Sequence, residues 1–251
     1  MNGLTGKSII VTGGGSGIGQ AACRLLGEGG ALVTIADLNE AGGRATAEEI
    51  EAAGIGKAQF VHTDVSNEDD VKAMVAAAVS AYGKLDGAIN AAGVPQHGKP
   101  MHEVTADEFD FVCGINLRGM FLCVKYQVQA MLEKGGAIVA IASTAGVTGV
   151  PNSSEYCASK SGVMGLVRGV SVDYADKGIR INAVLPGGTW TPMVQRSLEQ
   201  DPGLQKVVDT FPMKRFAQPV EIASGAVWMV SDQASYCTGA MLSIDGALSV
   251  I

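Results

Sequence analysis

Ser143, Tyr156 and Lys160 lie close together in the chain and have the residue types of a proton-transfer site. Tyr156 and Lys160 are four residues apart, so on a helix their side chains share one face, about one turn apart. An ordinary phenol has a pKa of about 10, and a nearby ammonium group favours the phenolate and lowers that pKa. The spacing predicts a tyrosine that exchanges a proton with an alcohol. The same spacing also describes a half-buried ring beside a solvated charge.

Ser143 directly follows an apolar run, residues 136–142, which has the pattern of a buried strand. The serine hydroxyl is therefore expected at the carboxyl end of a strand. In open α/β sheets ligands bind at that edge.

A glycine-rich loop follows the first predicted strand, residues 7–11, and precedes the helix predicted over residues 20–28. Gly13, Gly17 and Gly19 have Gly-x-x-x-Gly-x-Gly spacing, with Ser16 and Ile18 between them. Glycines at such a turn let backbone and a helix amino terminus approach a pyrophosphate. The loop between strand and helix therefore predicts dinucleotide binding.

Asp37 ends the second predicted strand, residues 31–36, about twenty residues beyond the glycine loop. A carboxylate there can accept hydrogen bonds from the adenosine ribose hydroxyls and repels a 2'-phosphate. Residues 13–19 contain no Arg or Lys, and Leu38 follows the aspartate. These residues predict NAD rather than NADP. The structural alternative for Asp37 is an ordinary helix N-cap or a turn aspartate at a strand end.

Two further strand ends carry candidate cofactor contacts. Asp64 and Val65 follow the third predicted strand, residues 58–62, where the carboxylate can bond to an adenine that packs on the valine. Asp64 alternatively caps the helix beginning near residue 67. After the fourth predicted strand, residues 85–89, Asn90 can brace neighbouring strand ends, and Ala91 and Gly93 let backbone pass near a cofactor.

Asn116 lies between two glycines inside a predicted long helix, residues 107–132. Asn and Gly both weaken a helix interior, so a local bend is expected that frees a carbonyl group for a proton-relay water. The alternative is that the Asn116 side chain simply hydrogen-bonds to backbone.

The substrate is expected between two irregular segments. Pro95 and His97 lie in the segment after Gly93, and Trp190 lies in residues 188–218, which have the composition of a mobile lid. His97 is alternatively a surface histidine. The apolar residues of the lid can instead form a satellite core or a subunit contact.

Strands and helices alternate six times with short turns. The pattern predicts an α/β fold: one Rossmann-type domain over residues 1–251, with a doubly wound parallel sheet of about seven strands and helices on both faces.

Composition excludes several classes of protein. A net charge of −7 without a basic cluster argues against nucleic-acid binding. No apolar run reaches membrane-spanning length, and the amino terminus lacks the pattern of a signal peptide. The five scattered cysteines have no metal-binding spacing and predict reduced thiols in a cytoplasmic protein without a metal. Cys157, beside Tyr156, is expected to be buried and inert.

Taken together, the motifs resemble those of the classical short-chain dehydrogenase/reductase family over nearly the whole chain. The matching residues also include Pro186, Gly187, Thr191 and Asp245-Gly246. The resemblance implies a catalytic tetrad in which Tyr156 is the acid/base, Ser143 binds the substrate oxygen, Lys160 lowers the tyrosine pKa and binds the nicotinamide ribose, and Asn116 positions the relay water.

The resemblance also implies that Thr191 and the backbone near Thr189 hold the carboxamide, and that the protein is a homotetramer. Ala247 departs from the family pattern, because a second glycine is common there, and Cys157 replaces a smaller residue.

The predicted function is an NAD-dependent dehydrogenase that interconverts a secondary alcohol and its ketone. A neutral small molecule, such as a cyclic or aliphatic alcohol, a hydroxysteroid-like ring or a polyol, is the expected substrate. One alternative is an NADPH-dependent 3-oxoacyl or other carbonyl reductase, against which Asp37 argues. The other is a non-catalytic NAD-sensing relative.

Overall fold

The computed structural model describes residues 3–200 and 202–250, without the side chains of residues 200 and 202–205. Within these residues a sheet of seven parallel strands has the order β3-β2-β1-β4-β5-β6-β7. The strands are β1 (Ser8–Thr12), β2 (Leu32–Asp37), β3 (Lys57–His62), β4 (Gly87–Asn90), β5 (Gly136–Ile141), β6 (Ile179–Pro186) and β7 (Met241–Ile244). The predicted sheet is confirmed, and the five strands whose bounds were predicted above, β1 to β5, have ends within two residues of the expected ones.

Helices cover both faces of the sheet, as predicted. They are α1 (Gly17–Glu28), α2 (Glu40–Ala52), α3 (Glu68–Tyr82), α4 (Ala106–Cys113), α5 (Met120–Met131), α6 (Ser154–Tyr174), α7 (Pro192–Gln200) and α8 (Pro219–Val230). Asn39 and Asn67 cap α2 and α3 with their side-chain oxygens, and Thr105 caps α4 in a reciprocal box with Glu108. Such caps satisfy backbone N–H groups that have no partner inside the helix.

The two cores follow from the alternation of side chains along each strand. In β1, Ile10 faces a core formed with α3, α5 and α6, whereas Ile9 and Val11 face the opposite core, formed with α1, α2 and α8. Strands buried on both faces need nearly continuous apolar sequence.

The strand order reverses between β1 and β4. Thr12 of β1 pairs with Asn90 of β4, and the Thr12 carbonyl accepts a hydrogen bond from the Ala91 N–H. The loops after these two strands therefore leave the sheet in opposite directions and open a crevice between them. This crevice is the topological switch point where ligands bind in such sheets.

The long helical segment predicted over residues 107–132 is present, with a local interruption that divides it into α4 and α5. Residues Gly114–Gly119 form a π-helical turn between α4 and α5, with Asn116 buried inside it. The expected weak point at Asn116 is therefore present, because the extra residue of a π turn disrupts the regular hydrogen-bond ladder.

The predicted lid contains α7 and a 3-10 helix, Pro202–Thr210; residue 201 lies outside the described residues. Phe216 packs against both Trp190 and Phe211, with ring centroids 5.5 and 5.6 Å away. These rings form a small satellite core, which was one of the two alternatives for the apolar residues of this segment. No described helix combines the length and apolarity needed to cross a membrane.

Candidate active site

The glycine loop after β1 is shaped for a ligand that approaches its backbone. Gly13 has a φ of 69°, and a Cβ there would lie 2.8 Å from the Ala92 backbone nitrogen. A Cβ on Gly19 would lie 2.1 Å from the Gly13 carbonyl oxygen. A side chain at either position would clash with neighbouring backbone atoms, so the loop requires glycine at both.

Ser16 is the N-cap residue of α1, and its hydroxyl makes no cap hydrogen bond. Ile18 lies in the first turn of that helix and packs against the core formed with α1, α2 and α8. The helix amino terminus thus presents N–H groups and a free hydroxyl at the crevice, which suits an anionic phosphate.

Asp37 lies beside the glycine loop. Its Oδ2 accepts a hydrogen bond from the Gly15 N–H at 2.8 Å, and its Oδ1 accepts one from the Asn39 N–H at 2.8 Å. Asn39, not Asp37, is the N-cap of α2, so the helix-cap alternative for Asp37 is wrong. The hydrogen bond from the Asn39 N–H makes Asp37 a turn aspartate at a strand end, which was the other alternative, and its contact with the ribose stays a prediction. Each carboxylate oxygen retains a lone pair for a further donor. Leu38 is 62% exposed at the rim.

Asp64 forms a local turn rather than a helix cap. Its Oδ1 accepts hydrogen bonds from the backbone N–H and the hydroxyl of Ser66, and Asn67 caps α3. Val65 is buried, and a Cβ on Gly119 of the π-helical turn would lie 2.9 Å from its side chain. The predicted adenine contacts of Asp64 and Val65 stay predictions.

The Asn90 side chain ties the end of β4 to α5 rather than to the neighbouring strand ends that the sequence suggested. Its amide exchanges two hydrogen bonds of 2.8 Å with the amide of Gln127 on α5, and both side chains are buried. The sequence analysis missed Gln127. Gln127 lies among the apolar residues of one face of α5, and this placement could have indicated a buried amide. A buried amide requires a hydrogen-bond partner.

Tyr156 and Ser143 meet at the carboxyl edge of the sheet. Burial raises the pKa of the Tyr156 phenol, and a hydrogen bond with Ser143 acts in the opposite direction. The Ser143 Oγ also accepts the Ala145 N–H at 3.1 Å, which fixes the orientation of the serine. Desolvation of the phenolate dominates the pKa of Tyr156 here, and the expected lowering of that pKa by Lys160 stays a prediction.

Lys160 lies one helical turn after Tyr156 and is 5% exposed. Its Nζ is 5.5 Å from the centre of the Tyr156 ring and donates a hydrogen bond to the Ile141 carbonyl at 3.1 Å. Burial lowers the pKa of Lys160 to about 8, because the ammonium loses most of its hydration. A lysine with such a pKa is poised to change protonation near neutral pH.

Asn116 joins the π-helical turn to the segment after β4. Its Oδ1 accepts the Val94 N–H at 2.8 Å, and its Nδ2 donates to the Val94 carbonyl at 3.0 Å. The amide also lies 3.4 Å from Ser159 Oγ, which donates to the Tyr156 carbonyl. The alternative of side-chain bonding to backbone is thus what the structure contains, and the relay-water role stays a prediction.

Gly93 lies between Asn116 and Lys160. A Cβ at Gly93 would be 3.0 Å from Asn116 Oδ1 and 3.6 Å from Lys160 Nζ. The chain turns here from β4 into residues 94–99, where Pro95 is half-buried and His97 lies against Phe111 of α4. All four tetrad residues and this segment therefore surround one end of the crevice.

His97 has a partner that the sequence analysis missed. Its backbone N–H donates to Glu155 Oε1 at 2.8 Å, and its Nδ1 is 3.5 Å from the same oxygen. Glu155 is fully buried although it carries a carboxyl group, and it immediately precedes Tyr156. Cys157, expected to be buried, is half-buried and free of a disulfide.

The end of β6 closes the other side of the crevice. Pro186 is the last residue of β6, and the Gly187 N–H bonds to the Ile244 carbonyl. Thr189 is buried, with its hydroxyl donating to the Gly187 carbonyl at 3.0 Å. A Cβ on Gly17 would lie 3.2 Å from the Thr191 side chain. Residues 187–191 therefore lie against the glycine loop. Trp190 is partly exposed beside them.

These features together define a dinucleotide-binding α/β protein with a proton-transfer group beside the crevice. A glycine cradle that a Cβ would fill, a helix amino terminus and the Asp37 carboxylate match the pyrophosphate and ribose of a dinucleotide. Among the described residues no cluster of His, Cys, Asp or Glu has the arrangement of a metal site.

Comparison with known proteins shows the family. Residues 13–249 match the family profile described as Enoyl-(Acyl carrier protein) reductase. The chain is 48% identical over 254 residues to 2,5-dichloro-2,5-cyclohexadiene-1,4-diol dehydrogenase of Sphingobium indicum, covering all of both chains. It is 38% identical to cyclohexanol dehydrogenase of Acinetobacter sp., covering 98% of this chain and 96% of that protein.

A solved structure agrees with these relatives. The crystal structure of levodione reductase matches with a TM-score of 0.94 and 38% identity, covering 98% of each chain. The chain belongs to the short-chain dehydrogenase/reductase family. It is therefore an oxidoreductase that uses a nicotinamide cofactor and acts on a small-molecule substrate.

Proposed function

We propose that the protein is an NAD-dependent dehydrogenase that interconverts a secondary alcohol on a six-membered carbon ring and the corresponding ketone. The observation that carries the proposal is the Tyr156 phenol, which lies close enough to Ser143 for that hydroxyl to lower its pKa, and which buried Lys160 follows one turn later at the dinucleotide crevice. A phenol and a hydroxyl that converge on one point suit the oxygen of an alcohol or ketone.

Each tetrad residue has a distinct part in the proposed reaction. Tyr156 accepts the proton of the substrate hydroxyl during oxidation and returns it during reduction, while Ser143 hydrogen-bonds to the same oxygen. The positive charge of Lys160 stabilises the phenolate that oxidation requires. Asn116 holds the Val94 backbone and, through Ser159, the helix turn that carries Tyr156. The bound cofactor supplies the hydride acceptor or donor.

NAD is proposed over NADP because of the charge at the end of β2. The Asp37 carboxylate faces the glycine loop and repels a 2'-phosphate. Arg44 of α2 pairs with Glu40 and lies over the Phe60 ring, so its guanidinium is already engaged. Leu38 offers no charge to a phosphate.

A ring alcohol is proposed because two relatives have names that specify six-membered carbon rings: a cyclohexadiene-diol dehydrogenase and a cyclohexanol dehydrogenase. Two cations near the substrate segments are already paired, which supports a neutral substrate. Lys99 pairs with Glu108 and Arg215 pairs with Glu221, so these charges are already partnered.

A homotetramer is proposed for the assembly. Phe111 and Phe121 of α4 and α5 are 53% and 47% exposed, and Tyr236 beside the edge strand β7 is fully exposed. Exposed large apolar side chains favour burial against further copies of the chain. Analytical ultracentrifugation tests this: a tetramer is expected, and a monomer at micromolar concentration contradicts it.

A substrate screen tests the proposed function. The purified protein is assayed for NAD reduction with cyclohexanol, cyclohexanediols and acyclic secondary alcohols, for NADH oxidation with their ketones, and with NADP(H) in parallel. Turnover of ring alcohols with a higher kcat/KM for NAD is expected. A preference for NADPH contradicts the cofactor assignment and favours a biosynthetic carbonyl reductase. Tight NADH binding without turnover of any alcohol favours a non-catalytic relative.

A further inference from the structure

The segment between β4 and α4 is held at two points that lie three residues apart. At the first, the Asn116 amide makes two hydrogen bonds to the Val94 backbone. At the second, the Glu155 carboxylate accepts the His97 N–H at 2.8 Å. Pro95 and Gln96 lie between these points and have no hydrogen bond to another element among those described. Pro95 is half-buried and Gln96 is exposed. The two clamps therefore fix the course of the backbone that carries these two residues.

The second clamp is unusual because Glu155 is 0% exposed. Burying a carboxylate costs free energy unless hydrogen bonds or opposite charges compensate. The described contacts of Glu155 are the His97 N–H, the His97 imidazole at 3.5 Å and the Ser154 hydroxyl at 3.5 Å. Its position in the first turn of α6 adds a favourable helix dipole. The shortest of these contacts is the hydrogen bond from the His97 N–H, which belongs to the segment between β4 and α4.

Glu155 also couples this segment to the proton-transfer group. It is the residue directly before Tyr156 on α6, and successive helix residues point about 100° apart. The Tyr156 side chain therefore faces Ser143 while Glu155 faces His97. The wall of the crevice and the acid/base group are thus built on one rigid helical turn.

We infer that Glu155 is a positioning residue for substrate selection: its hydrogen bond to His97 fixes Pro95 and Gln96 as one wall of the substrate site. This inference rests on the proposed alcohol dehydrogenase function. Glu155 touches neither cofactor nor reacting atoms in this role. It acts by holding the segment at a set distance from Tyr156, so that the fit of the ring, rather than proton transfer, depends on it.

The test compares Glu155→Met with Glu155→Gln in the intact enzyme. Methionine keeps the volume but cannot accept the His97 N–H, whereas the glutamine oxygen can. With a ring alcohol as substrate, Glu155→Met is expected to raise the alcohol KM about tenfold, because a hydrogen bond to a charged group is lost. The NAD KM and kcat are expected to stay within about threefold, and Glu155→Gln to restore an alcohol KM near that of the wild type.

Glu103→Met is the matched control. Glu103 is exposed in the turn before α4, and its described ion pair is with His102, so this variant is expected to leave all constants unchanged. His97→Pro is a second route, because proline removes the N–H donor while Glu155 stays intact. It is expected to raise the alcohol KM as Glu155→Met does.

Two outcomes overturn the inference in an enzyme that oxidises ring alcohols. One is an alcohol KM unchanged in folded Glu155→Met; if that variant does not fold, an unchanged alcohol KM in His97→Pro has the same meaning. The other is an equal rise in the KM of NAD and of alcohol, which indicates general disruption. If the wild type itself oxidises no alcohol, the proposed function fails instead, so the two failures are distinguishable.

Discussion

Replacement of Lys160 by methionine is expected to stabilise the protein while abolishing its activity. Lys160 is buried, and burial lowers its pKa from 10.5 to about 8. Each pH unit of pKa difference between the folded and unfolded states corresponds to about 1.36 kcal/mol. The buried charge therefore costs the folded protein on the order of 3 kcal/mol at pH 7. Methionine has a similar volume and carries no charge.

Part of this gain is offset because the Ile141 carbonyl loses its hydrogen bond from Lys160 Nζ. Such a bond contributes about 1 kcal/mol. The net expectation for Lys160→Met at pH 7 is about 2 kcal/mol of added stability, which raises Tm by about 4 to 8 °C in a domain of this size.

The stability difference between Lys160→Met and the wild type depends on pH. Below pH 8 the lysine is protonated in both the folded and the unfolded state, so the full cost is present. Between pH 8 and 10.5 the folded state loses its proton first, so the wild type gains stability as pH rises. The advantage of the variant is therefore expected to be largest at or below pH 7 and to shrink at pH 9.5.

The assay is urea unfolding of both proteins without cofactor at pH 7 and at pH 9.5, followed by circular dichroism. Parallel kinetics are expected to show loss of alcohol oxidation in the variant. A variant less stable than the wild type at pH 7, or a stability difference independent of pH, refutes the reasoning that a buried, costly ammonium is held at this site for function.

Two further substitutions test other parts of the structure. Ala247 has a φ of 70°, so Ala247→Gly is expected to relieve left-handed strain of about 1 kcal/mol and raise Tm by about 2 to 4 °C; a lower Tm in thermal unfolding contradicts this. Asp37→Asn removes the charge beside the glycine loop and is expected to raise the NAD KM about tenfold without lowering kcat/KM for NADP. Steady-state kinetics with both cofactors measure this, and an unchanged NAD KM removes Asp37 from cofactor binding.

The order of elements could be predicted from sequence because local signals agree with the fold. The helix α3 begins near residue 67, as predicted, because Asn67 caps it and acidic residues fill its first turn. Gly83 ends it in a left-handed conformation. The buried strands were recognisable from continuous apolar runs bounded by glycine. The expected weak point at Asn116 was present, although its π-helical form depends on packing against α6 and Val65, which no local pattern records.

Contacts between distant buried polar groups could not be predicted. Gln127 pairs with Asn90 across 37 residues, and Glu155 pairs with His97 across 58 residues. From sequence, Glu155 is an ordinary acidic residue in the first turn of a helix, where exposure is the common case. The pKa of Tyr156 was expected to fall because its neighbour is a lysine, whereas desolvation of both groups depends on how tightly the chain packs.

The substitution Tyr156→Phe tests the central claim most directly. It removes one oxygen atom from a ring whose packing stays the same, so NADH binding, followed by fluorescence, is expected to stay within about threefold of the wild type. Loss of the acid/base group is expected to lower kcat for ring-alcohol oxidation by at least about 100-fold. A Tyr156→Phe enzyme that binds NADH and retains kcat within tenfold of the wild type contradicts the account.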